Sequence, residues 1–270
     1  MIHLTGTTHS PGTIIVAAGV QPRYYEFQTS LDGVYAPVGT KLIIERSCDI
    51  TQNFNKGIKA MTGEWAWFLG DDHWFAPGTL MKFLSYNVDV VVPITPCKTA
   101  PWLPCVIHGP GPGKPMWEED MLLYRWEELS GEGLLALPQG DFIGQAGMLV
   151  RKSVLDTLGY PWFKCGQFDH GRLQEDIKFC SDLQQLGYTV WVDQSVIFDH
   201  YMVMGITARR HEGKYAPALK SGLMTVVLPD AAVPRGTTMP RMLWSTVPPP
   251  EKSNEYDPSD GAGARIGQAG

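Results

Sequence analysis

Gly70-Asp71-Asp72-His73 has the clearest chemical potential in this chain, because it follows five apolar residues, Trp65 to Leu69. Two adjacent carboxylates at the end of a buried strand repel each other, and all three side chains lose hydration there. A divalent cation relieves both costs. Oxygen ligands suit Mg2+ or Mn2+, and an imidazole tilts the choice toward Mn2+. The plainer reading is a solvated turn whose aspartates cap the helix that Pro77 opens. Gln174-Glu175-Asp176 opens a second helix. Carboxylates are favoured there by the helix dipole alone, and one so placed can also take a proton from a hydroxyl as a general base. Asp199-His200-Tyr201 ends another apolar run, and a single histidine in such a place is more often structural than a ligand. The basic stretch Arg209-Arg210-His211 with Lys214 could clamp a diphosphate by charge-assisted hydrogen bonds or form a solvated face. Gln145 is flanked by glycine-rich sequence.

These residues need a scaffold, and the first hundred residues alternate strand and helix signals. Thr13–Ala18, Lys41–Glu45, Trp65–Leu69 and Val88–Val92 read as strands. Helices are expected from Pro22 to Gly33, from Asn53 to Met61, and after Pro77. Strands joined by helices imply an α/β fold with a mostly parallel sheet, which binds ligands beyond the carboxyl ends of its strands. From Pro93 to Pro115 the density of Pro and Gly predicts a long loop, of the kind used for lids and binding surfaces. Ser153–Leu158 and Gln174–Leu186 read as helices, the latter with Ile177, Cys180, Leu183 and Leu186 on its apolar face. Thr189–Val192 and Val196–Phe198 read as strands. The tail from Pro248 lacks core-forming residues.

Composition excludes several classes. The 270 residues carry 22 Lys+Arg against 28 Asp+Glu, a net charge of −6, which argues against a broad surface for coating nucleic acid. Five scattered cysteines without CxxC spacing indicate neither a zinc knuckle nor a disulfide framework, so reduced thiols and a cytoplasmic setting are expected. No apolar run approaches the length of a membrane span, and Met1–Ser10 does not read as a secretory signal.

Taken in order, the pieces resemble glycosyltransferases of the GT-A fold, most closely the family 2-like enzymes that include small phage and bacterial members. The resemblance runs from about Thr13 to Tyr201. Asn55-Lys56-Gly57 leading to Thr62-Gly63-Glu64 resembles the family's Asn-x-Gly helix. Trp67-Phe68-Leu69 with Gly70-Asp71-Asp72-His73, then Phe75, Pro77 and Leu80, resembles its DxD segment. Gly144–Arg151 with Pro161-Trp162-Phe163 is similar to the acceptor-side segment, Glu175-Asp176 with Phe179 and Gly187 to the "ED" helix, and His200 to the distal metal histidine. Two registers fit the aspartates. In one, Asp72 is the ligand and Asp71 contacts the ribose or water; in the other, Asp71 and His73 act as a DxH pair. His200 serves in both. Gly70 stands where the family often has aspartate, and Phe54 where it often has arginine, with Asn53 as a possible equivalent of that arginine. The QxxRW motif of processive members is missing, which favours transfer of a single sugar.

The resemblance implies a GT-A type Rossmann-like sandwich with a smaller acceptor-side sheet and an irregular C-terminal tail. A single domain is expected over 1–220, with a nucleotide half to about 92 and an acceptor half beyond it, followed by a partly disordered extension over 221–270. It implies a metal-dependent, inverting hexosyltransferase that takes a UDP- or GDP-sugar with Mn2+ or Mg2+. Asp71, Asp72, His73 and His200 would serve the metal, and Asp176 would be the base, with Glu175 as second candidate. Ala18, Gly19, Glu45, Arg46, Asn55, Asp71, Arg209 and Arg210 would contact the donor. Gln145, Trp162 and Phe163 would contact the acceptor, which could be modified DNA, protein, a lipid carrier or a glycan. For a phage-encoded chain the setting would be the host cytoplasm. The competing readings are a metal-dependent phosphohydrolase and an inactive nucleotide-sugar-binding protein.

Overall fold

The computed structural model describes residues 2–6, 8–19, 24–47, 49–98, 102–109, 122–164, 166–168 and 171–202, and the backbone of 205–211, 214–221 and 224–227; of 166–168 and 171–173 it likewise describes the backbone alone. The chain divides into two compact units, Met1–Met202 and Val203–Gly270.

The first unit is built on a seven-stranded mixed sheet. From one edge to the other run Leu134–Ala136, Val190–Ile197, Val90–Ile94, Leu149–Arg151, Trp65–Gly70, Thr13–Ala18 and Lys41–Arg46. Five of these seven point the same way; only Leu149–Arg151 and Leu134–Ala136 run against them. This is the mostly parallel α/β sheet that the alternating pattern implies. A smaller three-stranded antiparallel sheet joins Val106–His108 to Phe142–Ile143 and Leu122–Leu123.

The strand sequences explain their place. Thr13–Ala18 is buried at every position, as a strand covered on both faces must be. Its side chains alternate between two cores. Ile14 and Val16 join Trp67, Phe27, Leu80 and Phe198 on one face, while Ile15 and Ala17 join Phe54, Phe68, Phe163 and Phe179 on the other. Helices α1 (Tyr25–Gly33) and α3 (Thr79–Ser85) supply the first core; α2 (Ile50–Ala60), α4 (Lys152–Leu158) and α5 (Glu175–Gln185) supply the second. Asp49 caps α2 by accepting from Gln52 N at 3.1 Å. In the same helix a Cβ at Gly57 would stand 2.3 Å from Ile15 Cγ2, so only glycine lets helix and strand approach this closely.

Several boundaries differ from the sequence pattern. The strand expected over 88–92 is Val90–Ile94, so Pro93 lies inside it. Its antiparallel neighbour pairs only with Val90 and Val91, so the missing N–H of Pro93 breaks no ladder bond on that side. The predicted loop from Pro93 to Pro115 therefore begins as a strand and later contains Val106–His108; residues 99–101 and 110–121 lie outside the described residues. Two short strands expected near the end are one, Val190–Ile197, with a register shift between Asp193 and Ile197. Leu186, expected on the apolar face of α5, is 48% exposed, and Phe179 is buried there instead.

The second unit is described as a three-stranded antiparallel sheet, Gly205–His211, Lys214–Ser221 and Met224–Val227. The unit boundary thus precedes the expected one near 220, and 228–270 lie outside the described residues.

Candidate active site

The parallel strands end at Ala18, Arg46, Gly70, Ile94 and Ile197, and the chemistry-bearing residues follow those ends. After Gly70 the chain turns through Asp71-Asp72 and resumes as His73–Trp74, which pairs antiparallel with Asp199–His200. His200 stands opposite His73 in that register. Tyr201 N donates to Asp72 O at 2.8 Å and closes the same junction. Two segments far apart in sequence are therefore locked together by backbone pairing, and the distal histidine is carried to the aspartates.

The two carboxylates relieve their repulsion by lining different clefts. Asp71 Oδ2 accepts from Gly19 N at 2.8 Å, tying together the ends of two neighbouring strands, and lines a cleft with Ala18, Tyr24, Tyr25 and Arg46. Asp72 lines a second cleft with His73, His200, Gln145, Glu175 and Asp176. Gly70 separates the two: a Cβ there would lie 2.8 Å from Asp72 Oδ1 and 3.1 Å from His73 Nδ1. A side chain at position 70 would therefore displace the side chains of Asp72 and His73.

Asp72, His73 and His200 each offer a ligand atom, all within 4.8 Å of one another. His73 Nδ1 lies 2.9 Å from Asp72 Oδ1 without the geometry of a hydrogen bond. Both ring nitrogens of His73 are buried without a hydrogen-bond partner among the described residues. Burial pushes the His73 imidazole below its usual value, outweighing the pull of Asp72, so the ring is neutral. His200 Nδ1 donates to Pro96 O at 2.8 Å. That bond orients the ring and leaves Nε2 facing Asp72 Oδ2, 3.8 Å away. The two imidazoles stack, with centroids 4.3 Å apart. Burial opposes ionisation of Asp72, but contacts from His200, His73 and Lys98 prevail and hold the carboxyl well below the usual range. One carboxylate and two imidazoles fit a divalent cation, and the buried His73 nitrogens without partners are polar groups that such an ion would satisfy. Asp71 is not part of this group.

The same cleft is lined by the start of α5, at Glu175, with Gln174 as its extended N-cap. Burial, helped by the Glu175 charge, raises the Asp176 carboxyl to about 6, although the N–H of Ile177 donates to its Oδ1 at 2.7 Å. A carboxyl at that value is mostly ionised at neutral pH and still basic enough to take a proton. Gly144 lies beside it: a Cβ there would stand 3.4 Å from Asp176 Oδ2, about van der Waals contact.

Other expectations fare differently. Ala18 and Arg46 line the Asp71 cleft, and Gln145 lines the Asp72 cleft. Glu45 sits beside Arg46 on the edge strand but does not line either cleft. Asn55, expected to touch the donor, spends both ends of its amide on the backbone of Phe163, donating to its O at 2.7 Å and accepting from its N at 3.0 Å. Asn53 is buried and bonded to Ala18 O and Ser47 Oγ. Phe163, expected as an acceptor platform, is fully buried and stacked on Phe179 at 4.2 Å. Trp162 packs against the core and donates its Nε1–H to Leu155 O at 2.8 Å, away from both clefts. Aromatic type alone did not show which way these rings face. Arg209 and Arg210 lie on a strand of the second unit, and their side chains are outside the described residues.

The sequence reading missed Lys98, whose Nζ contacts Asp72 Oδ2. Its only sequence signal is a place shortly after a parallel strand, inside the Pro-rich stretch. It rides on a short hairpin closed by Cys97 N donating to Leu103 O and Cys105 N to Thr95 O, at 2.8 and 2.7 Å. The sulfurs of Cys97 and Cys105 lie 3.2 Å apart on that hairpin.

No family model and no curated protein matches the chain. Among solved structures it is similar to A197 from STIV, with TM-score 0.44 and 12% identity over 71% of this chain and 86% of that one. It is similar to GalNAc-T7, solved with UDP, GalNAc and Mn2+, with TM-score 0.42 and 12% identity over 75% of this chain and 44% of that one. It is also similar to residues 1–349 of S. aureus TarS, with TM-score 0.40 and 11% identity over 70% of this chain and 60% of that one. Among the described residues, no helix is long and apolar enough to cross a membrane.

Proposed function

We propose that this protein is a glycosyltransferase that moves one sugar from a nucleoside diphosphate-sugar to an acceptor hydroxyl, with inversion. The observation that carries the reading is one cleft lined by Asp72, His73 and His200 and by a carboxyl with a raised pKa, Asp176. Two imidazoles beside one carboxylate favour Mn2+ over Mg2+. A bound divalent cation supplies charge neutralisation for the leaving diphosphate.

The chain's own groups do the rest. Asp72, His73 and His200 hold the cation, with His200 oriented by Pro96 O. The Asp71 cleft receives the nucleoside, where Tyr24 and Tyr25 offer ring faces and Asp71 and Arg46 offer polar contacts. Asp176 accepts the proton of the acceptor hydroxyl as its oxygen attacks the anomeric carbon from the face opposite the diphosphate. Glu175 keeps Asp176 basic through its charge. Gln145 borders the acceptor side of the cleft.

The test is a thermal-shift and calorimetric screen of nucleoside diphosphates and their sugars with and without Mn2+, followed by turnover with candidate acceptors. A Mn2+-dependent stabilisation by one nucleotide-sugar, lost in His200→Ala, is expected. Release of phosphate or nucleotide that needs no acceptor would replace this reading by the hydrolase. Donor binding without turnover on any acceptor would replace it by the inactive binding protein.

A further inference from the structure

The inference concerns Lys98 and rests on the cation site proposed above. Its ammonium contacts Oδ2 of Asp72, the oxygen that also lies 3.8 Å from His200 Nε2. That is the oxygen a cation held between Asp72 and His200 would use. The hairpin that delivers Lys98 also presents Pro96 O to His200, so one element both orients a candidate ligand and supplies a positive charge to its neighbour. The Lys98 side chain is 32% exposed, so its four-carbon stem can swing away without opening the core. An ammonium and a divalent cation cannot share one carboxylate oxygen without severe like-charge repulsion.

We propose that Lys98 is the resident counter-ion of the site. It neutralises Asp72 in the unliganded protein, is displaced from that carboxylate by the incoming divalent cation, and then turns to the diphosphate of the donor. In the resting state the exchange avoids an uncompensated buried carboxylate. On loading it couples two ligands: the metal must evict the ammonium, and the diphosphate gives the ammonium a new anionic partner. Each ligand therefore tightens the other by the same factor.

The experiment is direct Mn2+ binding to the full chain, read by the electron paramagnetic resonance signal of free Mn2+ and by calorimetry, in wild type, Lys98→Met and Lys98→Gln. Both variants are first checked for a single cooperative thermal transition without metal, at a temperature lowered by the loss of the Asp72 counter-ion, and are assayed below it. A neighbouring unit charge alters ion binding by about one to three powers of ten, so each variant is expected to bind Mn2+ alone at least about tenfold more tightly than wild type. With Mn2+ saturating, each is expected to bind UDP or GDP, whichever the wild type prefers, about tenfold more weakly. Mn2+ affinity that is unchanged or weaker in both variants overturns the exchange while leaving the cation site intact. Failure of wild type and both variants to bind Mn2+ overturns the cation site and the exchange with it. Tighter Mn2+ binding with undiminished nucleotide affinity overturns the second half, the turn toward the diphosphate.

Discussion

Replacing Asp176 by Asn should strengthen the fold while it ends the chemistry. Burial and the Glu175 charge raise this carboxyl from an ordinary 3.8 to about 6 in the folded protein. At about 1.36 kcal/mol per pH unit, holding it ionised in the fold costs about 3 kcal/mol at neutral pH. The sign follows from the direction of the shift. A carboxyl that binds its proton more tightly when folded imposes no cost below about pH 4, imposes a growing one through about pH 4 to 6, and the whole of it above. Asn keeps the oxygen that accepts from Ile177 N at 2.7 Å and removes only the charge. Urea unfolding of wild type and Asp176→Asn, followed by tryptophan fluorescence across pH, should show the variant more stable by about 1–3 kcal/mol near pH 7.5 and nearly equal near pH 4. Transfer should be abolished and Mn2+-dependent nucleotide binding retained. A stability difference that does not vary with pH would refute the reasoning, because it would show that the buried charge is not its source. Wild-type turnover in the variant would remove Asp176 as base.

Three further outcomes are expected. Asn55→Ala leaves the buried N–H and C=O of Phe163 without partners, so unfolding should become easier by about 3 kcal/mol while nucleotide affinity stays unchanged; a selective loss of donor binding would return Asn55 to the site. Gly70→Ala pushes a methyl against Asp72 Oδ1 and His73 Nδ1, and calorimetry should show Mn2+ affinity lowered at least about tenfold with little change in thermal stability. The Cys97 thiol is held below its usual value by a hydrogen bond from Cys105, 3.2 Å away. Glutathione disulfide should therefore join the pair, each protein sulfur losing its hydrogen as the reagent becomes two glutathiones; mass spectrometry after alkylation should find both sulfurs protected in wild type, and Cys97 reactive again in Cys105→Ser.

The parallel strands were legible because burial on both faces writes continuous apolar runs, as in Thr13–Ala18 and Trp65–Leu69. Leu149–Arg151 was not legible as the antiparallel member in the middle of the sheet, since three residues carry no record of their neighbours. The Asp72, His73 and Asp176 assignments came from residue type beside such runs; the partnership of His200 came only from the family resemblance. Asn55, Trp162 and Phe163 were misplaced for a common reason. An amide or ring beside an active site has the same spacing whether it faces ligand or core, and packing alone decides. Lys98 was invisible because its role depends on a hairpin fold that a Pro-rich segment does not announce.

The pairing of Asp199–His200 with His73–Trp74 has a consequence for biosynthesis. A chain emerging from the ribosome completes most of its apolar strands before His200 leaves the exit tunnel, yet until then it has no full grip on a cation. If the proposed cation site is correct, Mn2+ uptake would report completed synthesis of this unit in a way that secondary-structure content would not.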